Sequence, residues 1–289
     1  MDAIEIRLPA GIPSRQGWRR DAALRPLSGR DEMFLAEEGA ALAPAARASA
    51  LLTRCLDRLG PCTAVTLDNV RALTVGDRDA LLLHLRRLTF GDRMILELVC
   101  PNPDCSERMD LDLRVSELLV PPYAEPAETH ETTLGSPDAQ YRVRFRLPTA
   151  GDQELAAAHI ADEAAAGMSI LRRCVLAVSE VASGAEIGEL PANITADLSA
   201  RMAALDPQAE LILNLICPDC GGSLRSELDI ADFLFTELAD RRRELYRQVH
   251  RLAFHYHWSE DAILGMGQSR RLLYLDALHD GLNARRLDA

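Results

Sequence analysis

Four cysteines come in two close pairs, Cys100-Pro-Asn-Pro-Asp-Cys105 and Cys217-Pro-Asp-Cys220. Two thiolates a few residues apart across a tight turn can face one metal ion, and Pro101, Pro103, Pro218, Gly221 and Gly222 suit such turns. Together Cys100, Cys105, Cys217 and Cys220 supply the four sulfur ligands of a closed structural zinc (Zn2+) site. A closed site keeps no position for a substrate, so it predicts a staple rather than a reaction. An iron–sulfur cluster and metal-free or redox-active cysteines stay open as alternatives. Common cluster spacings group three cysteines, which this chain does not do. A redox pair calls for a helix start after its first cysteine, whereas Cys217 ends an apolar strand.

The segments that must present these sulfurs are written twice. Met94-Ile-Leu-Glu-Leu-Val-Cys100-Pro101 reappears as Leu211-Ile-Leu-Asn-Leu-Ile-Cys217-Pro218, and Leu113-Arg-Val-Ser-Glu-Leu-Leu119 as Leu228-Asp-Ile-Ala-Asp-Phe-Leu234. Strands over 95–99 and 212–216 are expected to join the two hairpins with approximate two-fold symmetry. Thr74-Val-Gly-Asp77 and Thr149-Ala-Gly-Asp152 read as helix caps before helices over 80–88 and 155–160, and Ser28 to Asp31 as a third cap. The Thr boxes are offset by 75 residues (74 to 149) and the knuckles by 117 (100 to 217). That difference requires a 42-residue insertion in the second copy, assigned to two added helices over about 168–205.

The expected fold class is therefore α+β, with a duplicated helix-plus-hairpin unit closed into a zinc-ribbon-like core. Residues 1–27 form an N-terminal arm that orders on a partner, 28–120 the first repeat and 121–139 a Pro- and acid-rich linker. Residues 140–240 form the second repeat and 241–289 a helical C-terminal module that holds Tyr246, Phe254, Tyr256 and Trp258. Within the second repeat, Tyr141, Val143, Phe145 and Leu147 alternate with Arg142, Arg144 and Arg146, the pattern of a half-buried strand with a guanidinium row outside.

Composition narrows the function class. The 289 residues are 48% apolar but only 4% aromatic, as in a helix-leaning globular chain. There is no lysine, which excludes Schiff-base and P-loop lysine chemistry. A net charge of −12 argues against a dedicated nucleic-acid binder, whose affinity comes from neutralising phosphates. No apolar run approaches a membrane span and the first residues carry no signal-peptide pattern, so the expected place of synthesis and residence is the cytoplasm. Cys55, Cys62 and Cys174 read as buried small hydrophobes. Asp110, Asp112, Asp229 and Asp232 read as strand-face and helix-entry residues, and His255 and His257 as part of aromatic packing. No nucleophile, base and oxyanion set assembles, so no enzyme is expected.

The run from Leu73-Thr-Val-Gly-Asp-Arg-Asp-Ala to Leu88-Thr-Phe-Gly-Asp92, leading into Val99-Cys100-Pro101 and later Ile216-Cys217-Pro-Asp-Cys220, resembles the T4-type bacteriophage baseplate protein family. Arg25-Pro-Leu-Ser-Gly-Arg-Asp-Glu32 and Phe145-Arg-Leu-Pro-Thr-Ala-Gly-Asp152 share the resemblance, which covers about residues 20–235. It implies a hub subunit or hub-assembly chaperone of a contractile tail or phage-like contractile injection system. Other baseplate or tail proteins would be its partners, and a phage-like particle its destination. Leu252 to Leu264 is similar to a short helical module of tail-assembly proteins. The alternative from another class is a zinc-ribbon nucleic-acid-binding or transcription-associated protein.

Overall fold

In Ile4-Glu-Ile-Arg-Leu8 apolar and charged residues take turns, so an extended chain gathers the apolar ones on one face. Strand β1 (Ile4–Ile12) buries Leu8 in this way and pairs antiparallel with β2 (Arg19–Leu24), which pairs with β3 (Leu56–Leu59). The structure, a computed structural model, describes residues 3–287 apart from 16, 138 and 158–161. The expected N-terminal arm is corrected: residues 4–24 supply two strands of a sheet, and Leu8, Ala22 and Leu24 lie in the main apolar core. Pro9 and Gly11, which break the pattern, fall where the ladder changes register between Arg7 and Ile12.

After β2 the chain turns into helix α1 (Gly29–Ala36). The Ser28 hydroxyl accepts from the Asp31 N–H while the Asp31 carboxylate accepts from the Ser28 N–H. Helix α2 (Pro44–Cys55) follows and runs straight into β3. Asp31, 1% exposed, is held by Arg25 at 2.6 Å and Arg54 at 3.2 Å. Arg25 also donates its backbone N–H to the Cys55 carbonyl and its guanidinium to the Arg54 carbonyl. One buried carboxylate thus ties together a strand end, a helix start and the end of the next helix.

The same clasp occurs again. Strands β6 (His130–Ser136), β7 (Ala139–Phe145) and β8 (Val175–Glu180) repeat the sheet order, with α6 (Ala150–Ala156) and α7 (Glu163–Cys174) between β7 and β8. Thr149 and Asp152 form the reciprocal cap, and Asp152 is held by Arg146 at 2.5 Å and Arg173 at 2.8 Å. Arg146 N–H donates to the Cys174 carbonyl. Arg25, Ser28 and Asp31 match Arg146, Thr149 and Asp152 at an offset of 121 (25 to 146), and Arg54-Cys55 matches Arg173-Cys174 at 119 (54 to 173). The first knuckle cysteines match at 117, so the offset drifts by only a few residues across the repeat.

The 42-residue insertion is therefore corrected. Helix α7 corresponds to α2 and β8 to β3, and α8 (Thr195–Leu205) precedes its knuckle as α4 (Val75–Phe90) precedes the first. Thr149 is the counterpart of Ser28, not of Thr74; capping boxes recur so often that similarity between two of them did not establish equivalence. Residues 130–136 of the expected linker are strand β6. Helix α6 ends at Ala156, and His159 and Ile160 of the expected helix lie outside the described residues.

The repeats meet at helix starts. Thr74 faces Thr149 in an antiparallel bridge, where Val75 N–H donates to the Pro148 carbonyl and Ala150 N–H to the Leu73 carbonyl. Asp206, just past α8, accepts from Gly76 N–H at 3.0 Å and from the Tyr123 hydroxyl at 2.6 Å. A Cβ on Gly76 would lie 1.9 Å from the Asp206 Oδ1, so only glycine permits this approach. Helix α9 (Ile230–Tyr256) carries Leu234 and Leu238 in the main core, then Leu245 and Leu252 in a separate cluster with α10 (Glu260–Leu264) and α11 (Gln268–Leu287). The α10–α11 hairpin docks on α1 much as α3 (Leu67–Arg71) and α4 dock on α6. Gly29 N–H meets the Met266 carbonyl as Ala150 N–H meets Leu73, and Arg271 binds Glu32 as Arg78 binds Gln153.

Burial by itself would raise the Asp31 and Asp152 carboxyls, but the arginines and cap donors outweigh it and hold both below the usual carboxylate range. Their contribution to stability is therefore present above the unfolded value of about 4 and lost as pH falls through the lowered folded values. Asp152→Asn leaves two arginines facing a neutral amide and is expected to cost about 3 kcal/mol in denaturant unfolding at neutral pH, with less difference from the parent in acid. Asp31→Asn should behave alike.

Candidate metal centre

Each knuckle is the tip of a two-stranded ribbon. Strands β4 (Arg93–Val99) and β5 (Arg108–Arg114) carry the first, and β9 (Ile212–Ile216) and β10 (Ser223–Glu227) the second. Both tips close alike: Cys100 N–H donates to the Glu107 carbonyl at 2.8 Å and Cys217 N–H to the Gly222 carbonyl at 2.9 Å. The residue after the second cysteine is left-handed in each, Ser106 at φ 51° and Gly221 at φ 70°. The wider first knuckle thus reaches the same turn with two more residues.

The ribbons bring all four sulfurs to one point. Among the described residues Cys100, Cys105, Cys217 and Cys220 are the one set of possible ligands that converges, with every Sγ within 4.8 Å of the others. The Cys100–Cys220 Sγ separation is 3.7 Å and the Cys105–Cys217 separation 3.8 Å. Tetrahedral zinc with bonds of about 2.3 Å needs sulfurs about 3.8 Å apart, so the donor set fits the ion in kind and spacing. A disulfide would need about 2.05 Å, and all seven cysteines are free. Cys100 and Cys217 are buried with Leu98, Met109, Leu215 and Leu224 in a small apolar cluster, while Cys220 is exposed.

The thiols are unequal. The Gly222 backbone N–H, above all, lowers the Cys220 thiol to about 7, and neighbouring thiols act in the same direction. At Cys105 the Glu107 N–H lowers the value, but burial and the neighbouring thiols outweigh it and raise it to about 12. The Cys105 thiol also donates to the Asp219 carboxylate at 3.4 Å.

The remaining candidates fall apart from this point. Cys55 and Cys174 are fully buried beside the clasps, but Cys62 is half-buried and donates to the Ala64 carbonyl, which corrects its expected burial. Asp112 pairs with Arg93 and Asp229 caps α9. His257 ends α9 in a left-handed turn, and Trp258 packs between Tyr256 and Tyr274. Two polar centres were missed from sequence: the Arg–Asp–Arg clasps, and Asp77, which takes the Ala10 and Gly11 N–H groups and is pushed up to about 7 chiefly by burial. The clasps were visible as Arg-x2-Ser/Thr-x2-Asp followed by Arg-Cys, written twice. Nothing in the sequence around Asp77 tells that two strand amides come to it.

In metal-free protein at pH 7, iodoacetamide should alkylate Cys220 at least about tenfold faster than Cys174, whose thiol burial raises to about 12. Site-resolved mass spectrometry reads the order; equal rates would contradict the geometry.

A family model described as T4 bacteriophage base plate protein matches residues 20–235. No curated protein and no solved structure matches the chain. The match opens inside β2 and closes in the first turns of α9, so it takes in both clasps and both knuckles and leaves out α10 and α11. With most of its length inside that model, the chain belongs to the T4 bacteriophage base plate protein family.

Proposed function

We propose that this protein is a non-enzymatic component or assembly factor of the baseplate of a contractile tail, in a phage or a phage-like contractile injection system. Its two repeats are joined by one structural zinc on Cys100, Cys105, Cys217 and Cys220, in a zinc-ribbon-like core. The observation that supports this reading is the convergence of four sulfurs, two from each repeat, in a member of a baseplate family. Zinc supplies four bonds and no open position in such a site. The chain's own part is to bring the ribbons to one point and to shelter Cys100 and Cys217 in apolar surroundings. Linking residues 117 apart in sequence with a metal clip restricts the unfolded chain over a long loop, and so adds to the stability of the folded arrangement. The net charge of −12 runs against the nucleic-acid alternative. A building part needs broad, rigid faces for other baseplate proteins, and a tied pair of repeats supplies them.

Metal analysis of purified protein should find about one zinc per chain. Cys217→Ser should lose the metal and unfold at lower temperature, while Cys62→Ser should keep both. A Cys217→Ser protein as stable as the parent would sink the staple. Independently, the chain should co-purify with other baseplate proteins when they are expressed together. Its presence in finished particles separates a permanent subunit from a factor that leaves.

A further inference from the structure

Strand β4 belongs to a two-stranded ribbon. Among the described strands it pairs with β5 alone, which leaves its other edge open. In this ladder Cys100 N–H bonds to the Glu107 carbonyl and Val115 N–H to the Asp92 carbonyl. Antiparallel pairing alternates, so even-numbered β4 residues turn their backbone groups to β5, and Arg93, Ile95, Glu97 and Val99 turn theirs outward. The Arg86 guanidinium donates to the outward Arg93 carbonyl at 2.6 Å. No described group meets the outward backbone of Ile95 or Glu97.

A groove of about 740 Å³ follows that edge. Met94, Ile95, Leu96 and Glu97 all line it, and since successive strand side chains point to opposite faces, four in a row mark an edge and not a face. The facing wall is α9, and Phe90 and Phe233 provide apolar surface. The three arginines at the groove are already engaged. Arg86 and Arg241 both bind Glu237, and Arg93 binds Asp112. Glu227, Asp232 and Asp240 line the same groove with no cation against them among the described residues.

We propose that this groove receives an extended segment of a partner protein as a third strand on β4, with apolar and basic side chains in alternation. Backbone pairing to Ile95 and Glu97 would supply the hydrogen bonds an edge strand lacks. Apolar side chains would meet Phe90 and Phe233, and basic ones the three unmatched carboxylates. The best match within the chain, the alternating Arg/apolar strand β7, is paired on both edges and cannot serve. The groove depends on neither the metal nor the particle.

A fluorescent peptide alternating arginine and valine, titrated into the full-length protein at physiological salt, should bind. Affinity should fall at least about tenfold when alternate peptide amides are N-methylated, and similarly with Asp232→Lys/Asp240→Lys, both exposed positions on α9. Amide exchange followed by NMR should show new protection at Ile95 and Glu97 and none at Leu96, whose N–H already faces β5. Equal binding by the methylated peptide, or binding without protection at Ile95 and Glu97, would reduce the contact to charge alone and overturn the proposal. No binding up to about 1 mM would overturn it outright.

Discussion

A carboxylate that folding removes from water must be met by charge and hydrogen bonds, or its burial costs several kcal/mol. Asp31 and Asp152 are both 1% exposed, and each is met by two arginines and by the hydroxyl and N–H of its own cap residue. Because the arginines come from the end of a strand and the end of the second helix, satisfying one carboxylate sets the path of some thirty residues. The central strand, the capped helix and the returning edge strand then lie in fixed relation. Two such units, built alike, form the frame on which the ribbons are carried.

From that frame the order of dependence runs outward. Of the helices before the ribbons, α4 packs in the main apolar core through Leu81 and Leu82, which the start of α9 shares, and α8 packs in the second cluster through Leu198 and Met202. The start of α4 also crosses to the second repeat, where Gly76 and Asp206 approach within hydrogen-bonding distance. The ribbon tips are thereby aimed at each other, and the sulfurs meet 3.7–3.8 Å apart across the seam. A metal there would act on an arrangement already prepared by buried polar contacts. The C-terminal hairpin extends the same scheme, since α10–α11 covers α1 through contacts that α3–α4 makes on α6.

Much of this was legible in the residues. The duplicated knuckles, the alternation in β7 and the capping boxes each reflect local chemistry: a thiol pair needs a turn, a half-buried strand needs period two, a helix start needs an acceptor. Alignment of the copies was not legible in the same way. Thr74-Val-Gly-Asp77 looks more like Thr149-Ala-Gly-Asp152 than Ser28-Gly-Arg-Asp31 does, yet only Ser28 and Thr149 cap helices whose acid is clasped by two arginines. The N-terminal strands were obscured by Pro9 and Gly11, which interrupt alternation at the bulge that lets Ala10 and Gly11 reach Asp77.

By itself the sequence determined the two close cysteine pairs, the ribbons that carry them, the mixed α+β class and the family, because each rests on residues close together in the chain. Tertiary structure alone decided which segments are equivalent, that Leu8, Ala22 and Leu24 belong to the core, and that β4 has no second strand partner beside α9 among the described residues. Those facts depend on pairing across more than a hundred residues. There the outcome is settled by which buried charges and strand edges find partners, and no local pattern records that.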